Sequence, residues 1–476
     1  MSSKLLRTKP LDLLLADTEK EEHRLRRALN AWDLTALGIG CIIGVGIFVL
    51  PGVEAARHAG PGIILSFAIA AVACACSALC YAELAAMIPV AGSAYTYGYA
   101  TLGELPGWII GWDLILEYMV AACLVSVGWS GYFVNLIDNL LRPWGMALPK
   151  GISIAPMVWS DDLHKFVTTG AIINLPAIFI VALLTFLLIR GIKESSRVNL
   201  VIVIIKLTVI VFFIVLAVSY VKPSNWQPFM PFGFGGVMTA AAIVFLAFVG
   251  FDAVSTAAEE AKNPQRDMPI GIMSSLAVAT VLYIAVSAIM TGVVPYLKLN
   301  VPDPVALVLN ELKMPWASII VSLGALAGIT SVLLVLLLGQ PRILFAMSRD
   351  GLLPPSLSKV HRRYQTPYVT TLITGIIVAS ASALFPIQVF AELCSIGTLF
   401  AFIIVCSGVI VLRFTRRDIH RPFEVPLFPV LPALGALLCA YLMVNLPKTA
   451  WERFVVWLII GLSIYFSYSR RKSNLA

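Results

Sequence analysis

The amino-acid sequence predicts an all-α membrane protein with 12 transmembrane helices. Three observations carry that expectation. The 476 residues are 59% apolar and only 13% charged, roughly half the charge of a soluble chain. The mean hydropathy is +0.91. Apolar runs of about 20 residues, enough to cross a hydrocarbon core, recur along nearly the whole chain.

Residues 1–33 mix Lys, Arg, Asp and Glu with Leu5, Leu6, Leu11, Leu13, Leu14 and Leu15. They read as an interfacial amphipathic segment and not as a cleavable signal. Spans are expected at 34–57, 61–88, 106–136, 170–190 and 197–221, then at 236–259, 270–295, 316–345, 368–384 and 387–412. Two further spans at 426–446 and 451–469 lead to a short tail, 470–476.

Twelve crossings place both termini on one side. Arg342, Arg349, Lys359, Arg362 and Arg363 share a link on that side, as do Arg413, Arg416, Arg417 and Arg421, and the tail adds Arg470, Arg471 and Lys472. Basic links mark the cytoplasmic face. Both termini are therefore expected in the cytoplasm, with the chain in a plasma or inner cell membrane. The net charge of +8 then reports topology and not a nucleic-acid partner. The eight cysteines lie in apolar segments without ligand-like neighbours, so no metal, disulfide or cofactor is expected.

The first span contains GIGCIIGVGIF, Gly38 to Phe48. Glycines at Gly38, Gly40, Gly44 and Gly46 lower the cost of leaving helical geometry. In lipid, such a break is tolerated only where the backbone is buried in protein or lines a cavity. An interrupted helix here would offer N–H groups to a carboxylate and carbonyls to an ammonium group, the two ends of an amino acid. The alternative reading is a close helix–helix contact, since Gly40 and Gly44 have GxxxG spacing. The sixth span holds a second irregular stretch, FLAFVGFDAVSTAAEE, with Gly250 after two aromatics and Asp252 in an apolar run. The two stretches lie five spans apart. Five is odd, so the sixth span enters from the opposite face, the pattern of two inverted five-helix repeats: 34–221 and 236–412.

Lys206 sits mid-span in VIVIIKLTVIV. A lysine at that depth costs about 2.5–3.5 kcal/mol even on lenient scales, so it must face protein or water. Its ammonium could bridge carbonyls of the first span to Thr330 and Ser331 of the eighth, in the manner of a bound cation, and could exchange a proton. The alternative is a purely structural charge. Glu117 lies deep in the third span, one helical turn beyond Asp113, which is expected to reach the interface. Glu117 serves a proton path or a structural pair. Asp252 either joins the proton path or hydrogen-bonds the irregular backbone. Glu83, Glu259, Glu260 and Arg266 read as gate or capping contacts.

GIGCIIGVGIF, FVGFDAVSTAAEEAKNPQRDMPIGI and GQPRILFAMSRDGLLP resemble the amino acid–polyamine–organocation transporters, above all the cationic amino acid transporter branch and its bacterial relatives. The resemblance implies a LeuT-type fold of five plus five inverted helices and two further spans. It implies that backbone groups at Ile42, Ile43, Gly44, Val45 and Gly46 hold a substrate carboxylate. Carbonyls at Gly40 and around Phe245, Leu246 and Ala247 would hold the α-ammonium. Phe248 and Gly250 would line or gate the pocket, and Leu336 would border the side-chain space. Lys206 would take the place of a sodium ion, making transport sodium-independent.

The expected function is therefore proton-coupled uptake of L-amino acids, neutral ones such as alanine, with cationic ones such as arginine left open by the family. Valine at 45 and leucine at 336 favour neutral side chains. The rivals are an obligate exchanger, a channel or a non-transporting sensor. The short tails argue against a sensor, and no filter-like sequence suggests a channel. The five scattered histidines argue against an enzyme. The expected partners are the amino acid, protons and membrane lipid, with or without a small accessory membrane subunit.

Overall fold

The computed structural model describes residues 29–87, 95, 98, 103–160, 165–190, 196–251, 254, 261–361, 364, 366–415 and 421–473. In these residues the chain is helical almost throughout. The first helix, α1 (Ala31–Ile42), starts on a capping box: the Asn30 side chain accepts from Trp32 N at 2.8 Å and Asp33 N at 3.1 Å, and Asp33 returns the bond to Asn30 N at 3.0 Å. It is followed by α2 (Val45–Phe48), α3 (Leu50–Glu54) and α4 (Ile63–Met87), the last two joined through a π turn at Ala55–Ala59 and a 3₁₀ turn at Gly60–Gly62.

Next come α5 (Glu104–Leu141), the short α6 (Lys150–Ser153), α7 (Leu175–Ile189), α8 (Ser196–Ala217), α9 (Gly233–Val244) and α10 (Pro264–Val293). The chain continues with α11 (Pro304–Glu311), α12 (Pro315–Arg349), α13 (Tyr368–Leu384), α14 (Ile387–Thr415), α15 (Val430–Val444) and α16 (Lys448–Ile464). Pro264, Pro304 and Pro315 open three of them, where a missing N–H costs nothing. The loop before α7 carries a hairpin: β1 (Met157–Ser160) pairs antiparallel with β2 (Lys165–Thr168), Met157 opposite Thr168.

Among the described residues, seven helical stretches are long and apolar enough to cross a membrane: Leu50–Met87, Glu104–Trp144, Leu200–Tyr220, Pro264–Val293, Pro315–Arg349, Ile387–Thr415 and Lys448–Lys472. Shorter apolar helices run at Ala31–Ile42, Leu175–Ile189, Gly233–Phe248, Tyr368–Leu384 and Val430–Val444. Burial separates these by role. The best apolar window of α5 is 89% buried, against 33% in α8 and 22% in the C-terminal helix. The α5 helix is thus the central pillar, packed against α12, α13 and α14, while α4 packs on α10 and α1 on α10. The last helix is stapled to the pillar by tryptophans. Trp457 and Trp112 stack at 4.4 Å, Trp112 Nε1 donates to Trp457 O at 2.9 Å, and Trp457 Nε1 donates to Trp112 O at 3.1 Å.

Candidate functional site

The site is built on a break. Helix α1 ends at Ile42, and Ile43 turns to extended backbone (φ −80°, ψ 99°). Gly44 precedes α2 with φ −151° and ψ −127°. Opposite this point, α9 tightens into a 3₁₀ turn at Phe245–Phe248 and then ends, Val249 being extended. Gly250 takes φ +125°, a conformation L side chains rarely adopt. The two irregular stretches touch: a Cβ on Gly46 would lie 2.7 Å from Ala247 Cβ, and one on Gly250 would lie 2.8 Å from the carbonyl carbon of Cys41. Glycine is therefore required at both positions. Gly250→Ala is expected to destabilise the fold by about 1–3 kcal/mol, because the strain falls on the junction itself. Denaturant unfolding of the purified protein measures it.

Breaking a helix frees carbonyls, and burial demands that they be bonded. Two side chains meet most of that demand. Lys206 on α8 is 0% exposed, and its ammonium donates to Gly40 O at 2.8 Å, Ile43 O at 2.9 Å and Ser331 Oγ at 3.2 Å. Ser331 Oγ in turn donates to Gly328 O at 2.9 Å. Three acceptors match the three N–H bonds of an ammonium group. Thr330 is not among these contacts: its hydroxyl accepts from Trp129 Nε1 at 2.9 Å and donates to Leu326 O at 2.6 Å.

The second side chain is Tyr283 of α10, which the sequence reading missed. Its hydroxyl lies 2.9 Å from Ile42 O and 2.6 Å from Ala247 O. A hydroxyl has one proton, so it serves one of these carbonyls at a time. Its ring is clamped by Phe67 and Phe248, each with centroids 5.1 Å away. The available signal was a polar aromatic ring mid-helix, whose O–H must find a partner when buried.

The remaining candidates lie as follows. Phe245, Ala247 and Phe248 are buried, Leu246 is 8% exposed, and Phe245 packs on Phe402 at 5.4 Å. Val45 is buried against Gly128, and Val332 against Gly44. Leu336 is half-buried on α12. Glu117 is buried in α5, and its carbonyl lies 3.8 Å from Cys394 Sγ. Asp113 departs from expectation. It does not reach the interface but is 0% exposed, with one carboxylate oxygen set against Gly397 of α14, and neither oxygen has a hydrogen-bond partner among the described residues. Asp252, Glu259 and Glu260 lie outside the described residues. Glu83 forms a capping cluster at the end of α4: Arg413 Nε donates at 2.9 Å, Val425 N at 2.7 Å, and Arg421 stands at 3.7 Å. The eight cysteines form no disulfide among the described residues, and Cys41, at the break, is less buried than the other seven.

Paired helix interruptions, cross-braced by a buried lysine and a buried tyrosine inside a bundle of apolar helices, define a polytopic integral membrane protein with a polar centre. The chain matches the amino acid permease family over residues 29–465 and belongs to that family. It is 52% identical over 476 residues to the branched-chain amino acid permease BcaP of Bacillus subtilis, covering all of both chains. It is 48% identical over 473 residues to the methylthioribose transporter of the same organism, covering 99% of each. It is 37% identical over 420 residues to the vacuolar cationic amino acid transporter 4 of Arabidopsis thaliana, covering 87% of this chain and 68% of the relative. All three relatives are named as carriers and none as an enzyme.

Proposed function

We propose that this chain is a proton-coupled, sodium-independent secondary transporter that takes up neutral L-amino acids by alternating access across the cell membrane, with both termini in the cytoplasm. In this reading residues 34–221 and 236–412 are inverted five-helix repeats of the LeuT type, followed by two further crossings at 426–469. The single observation that supports it most is the Lys206 ammonium, which sits on Gly40 O, Ile43 O and Ser331 Oγ. A fixed positive charge at that junction does the work of a bound sodium ion and leaves the proton as the coupling ion, with Glu117 and Asp252 as further groups on its path.

The zwitterion of the substrate fits the groups the break leaves over. Its carboxylate meets the N–H groups of Gly44, Val45 and Gly46 at the first turn of α2. Its ammonium takes whichever of the Ile42 and Ala247 carbonyls Tyr283 does not serve. The surrounding side chains, Val45, Val332, Leu336 and Phe248, are apolar and favour an aliphatic side chain, in keeping with the name of the 52%-identical relative. A second reading comes from the 48%-identical relative, named as a methylthioribose transporter: a sugar would use the carbonyls but leave an N–H cradle for a carboxylate without purpose.

The deciding experiment is uptake of labelled leucine into sodium-free proteoliposomes under an inward acid gradient. Unlabelled isoleucine, valine, alanine, arginine and methylthioribose serve as competitors. Gradient-driven leucine uptake blocked by the aliphatic amino acids is expected. Strict sodium dependence would remove the role given to Lys206, and counterflow without net uptake would make the protein an exchanger.

A further inference from the structure

The carboxyl of Asp113 plays no part in the reading above. It sits in α5, the pillar of the bundle, and is 0% exposed. Helix α14 covers it. Cys394 Sγ donates to Glu117 O at 3.8 Å, and a Cβ on Gly397 would stand 3.1 Å from Asp113 Oδ1. One turn forward on α14 thus matches one turn back on α5. Glycine at 397 gives the carboxyl its room: a side chain there would press on Oδ1 and reach Leu116 Cδ2 at 3.9 Å.

The polar groups of the packed helices are spent on other atoms. On α14, Ser395 Oγ donates to Ile243 O at 2.8 Å and Thr398 Oγ1 to Cys394 O at 3.0 Å. On α12, Gln340 Nε2 donates to Ile115 O at 3.1 Å. The charges are spent or out of reach as well. At the two ends of α14, Glu392 accepts from Arg453 of α16 at 3.2 Å, and Arg413 Nε donates to Glu83 at 2.9 Å. Arg342 and Arg349 of α12 and Lys150 of α6 are exposed. Helices α2, α7 and α13 contain no Asp, Glu, Lys, Arg or His. On α5 itself, Glu104 accepts from Tyr465 OH at 3.0 Å, and Tyr118 turns to Gly339 of α12. Glu117, one turn along on the same face, adds a second acid and no cation. Neither Asp113 oxygen has a hydrogen-bond partner among the described residues.

A carboxylate taken out of water with neither donor nor cation is far costlier than the neutral acid. We propose that Asp113 is a proton-binding site of the transport cycle, filled in the arrangement described here. Helix α14 seals the neutral acid against the pillar, and the proton leaves to water when that contact opens. The step moves one proton between the carboxyl and water and breaks no other bond. The proposal rests on the proton-coupled reading and gives Asp113 a place on the proton's path. Its sign follows from linkage: acid fills the site and favours the α5–α14 contact, and a rise in pH favours the opened, ionised form.

Infrared difference spectra of the full chain in lipid, native minus Asp113→Asn, read the site without substrate or gradient. The carbonyl band of a protonated carboxylic acid, shifted in deuterated water, is expected in acid. It is expected to fade as pH rises while helicity by circular dichroism holds. Absence of the band, or a band unchanged over the whole pH range in which the fold holds, overturns the proposal. Transport supplies a second readout, the ratio of leucine uptake with an inward acid gradient to uptake without one. That ratio is expected to fall to unity in Asp113→Asn, and a native ratio there overturns the proposal; where the variant carries no leucine, the infrared result decides. Should Asp113→Asn fail to fold, Gly397→Ala takes its place. Its methyl would press on Oδ1 and is expected to shift the acid band, and an unmoved band overturns the proposal equally. A failure of the amino acid reading would show separately, as absent leucine uptake by the unmodified chain, and leaves the infrared result readable.

Discussion

Lys206→Ala is expected to abolish gradient-driven accumulation. The side chain is fully buried and supplies donors to Gly40 O, Ile43 O and Ser331 Oγ. Each buried acceptor left without a donor costs about 1–3 kcal/mol, and two of the three are carbonyls at the break itself. The first helix would lose the brace that holds its interruption to α8 and α12. The expected result is uptake at background under an inward acid gradient, with a melting temperature several degrees lower. Lys206→Met separates the two effects, because it keeps most of the packing volume and removes only the charge and its bonds. Accumulation by Lys206→Met at the native level would show that the ammonium is structural filling and plays no part in coupling.

Tyr283→Phe is expected to lower transport turnover by about tenfold while leaving the fold intact. The ring contacts to Phe67 and Phe248 survive the change. What disappears is one hydroxyl, and with it the hydrogen bond donated to the Ile42 or the Ala247 carbonyl. Loss of a buried hydrogen bond of this kind costs about 1–3 kcal/mol, and about 1.4 kcal/mol is tenfold in a rate or equilibrium constant. The loss falls where the first and second irregular stretches are tied together, so it should appear in turnover more than in melting temperature. Native turnover in Tyr283→Phe would mean that the substrate ammonium alone spans the two carbonyls.

The two predictions address different halves of one requirement. A helix can be interrupted inside lipid only if the freed polar groups are met by protein. Here a cation meets those on the α8 and α12 side and a hydroxyl those on the α10 side.

Much of this was legible in the sequence, for reasons that are local. The glycines around Gly44 and the run at Gly250 mark where helical geometry is cheap to leave. Lys206 announces itself because an ammonium about ten residues from either end of an apolar helix has to be met by protein or water. The choice of partner was not legible. Ser331 and Thr330 are adjacent in sequence, yet α12 turns Ser331 towards Lys206 and Thr330 towards Trp129. Asp113 reads as an interfacial acid by its position in the span, but the packing of α14 places Gly397 against its carboxylate and leaves it fully buried.

By itself, then, the sequence determined that this chain lives in a membrane, which family it resembles, and where its helices give way, because hydropathy, motif and glycine content are properties of short stretches. Only the tertiary structure decided which groups answer each other across those gaps: Tyr283 beside the Ile42 and Ala247 carbonyls, and Ser331 beneath Lys206. Such pairings join residues far apart along the chain and depend on how each helix is rotated about its axis. A rotation of 100° per residue separates neighbours in sequence, and only packing sets its phase.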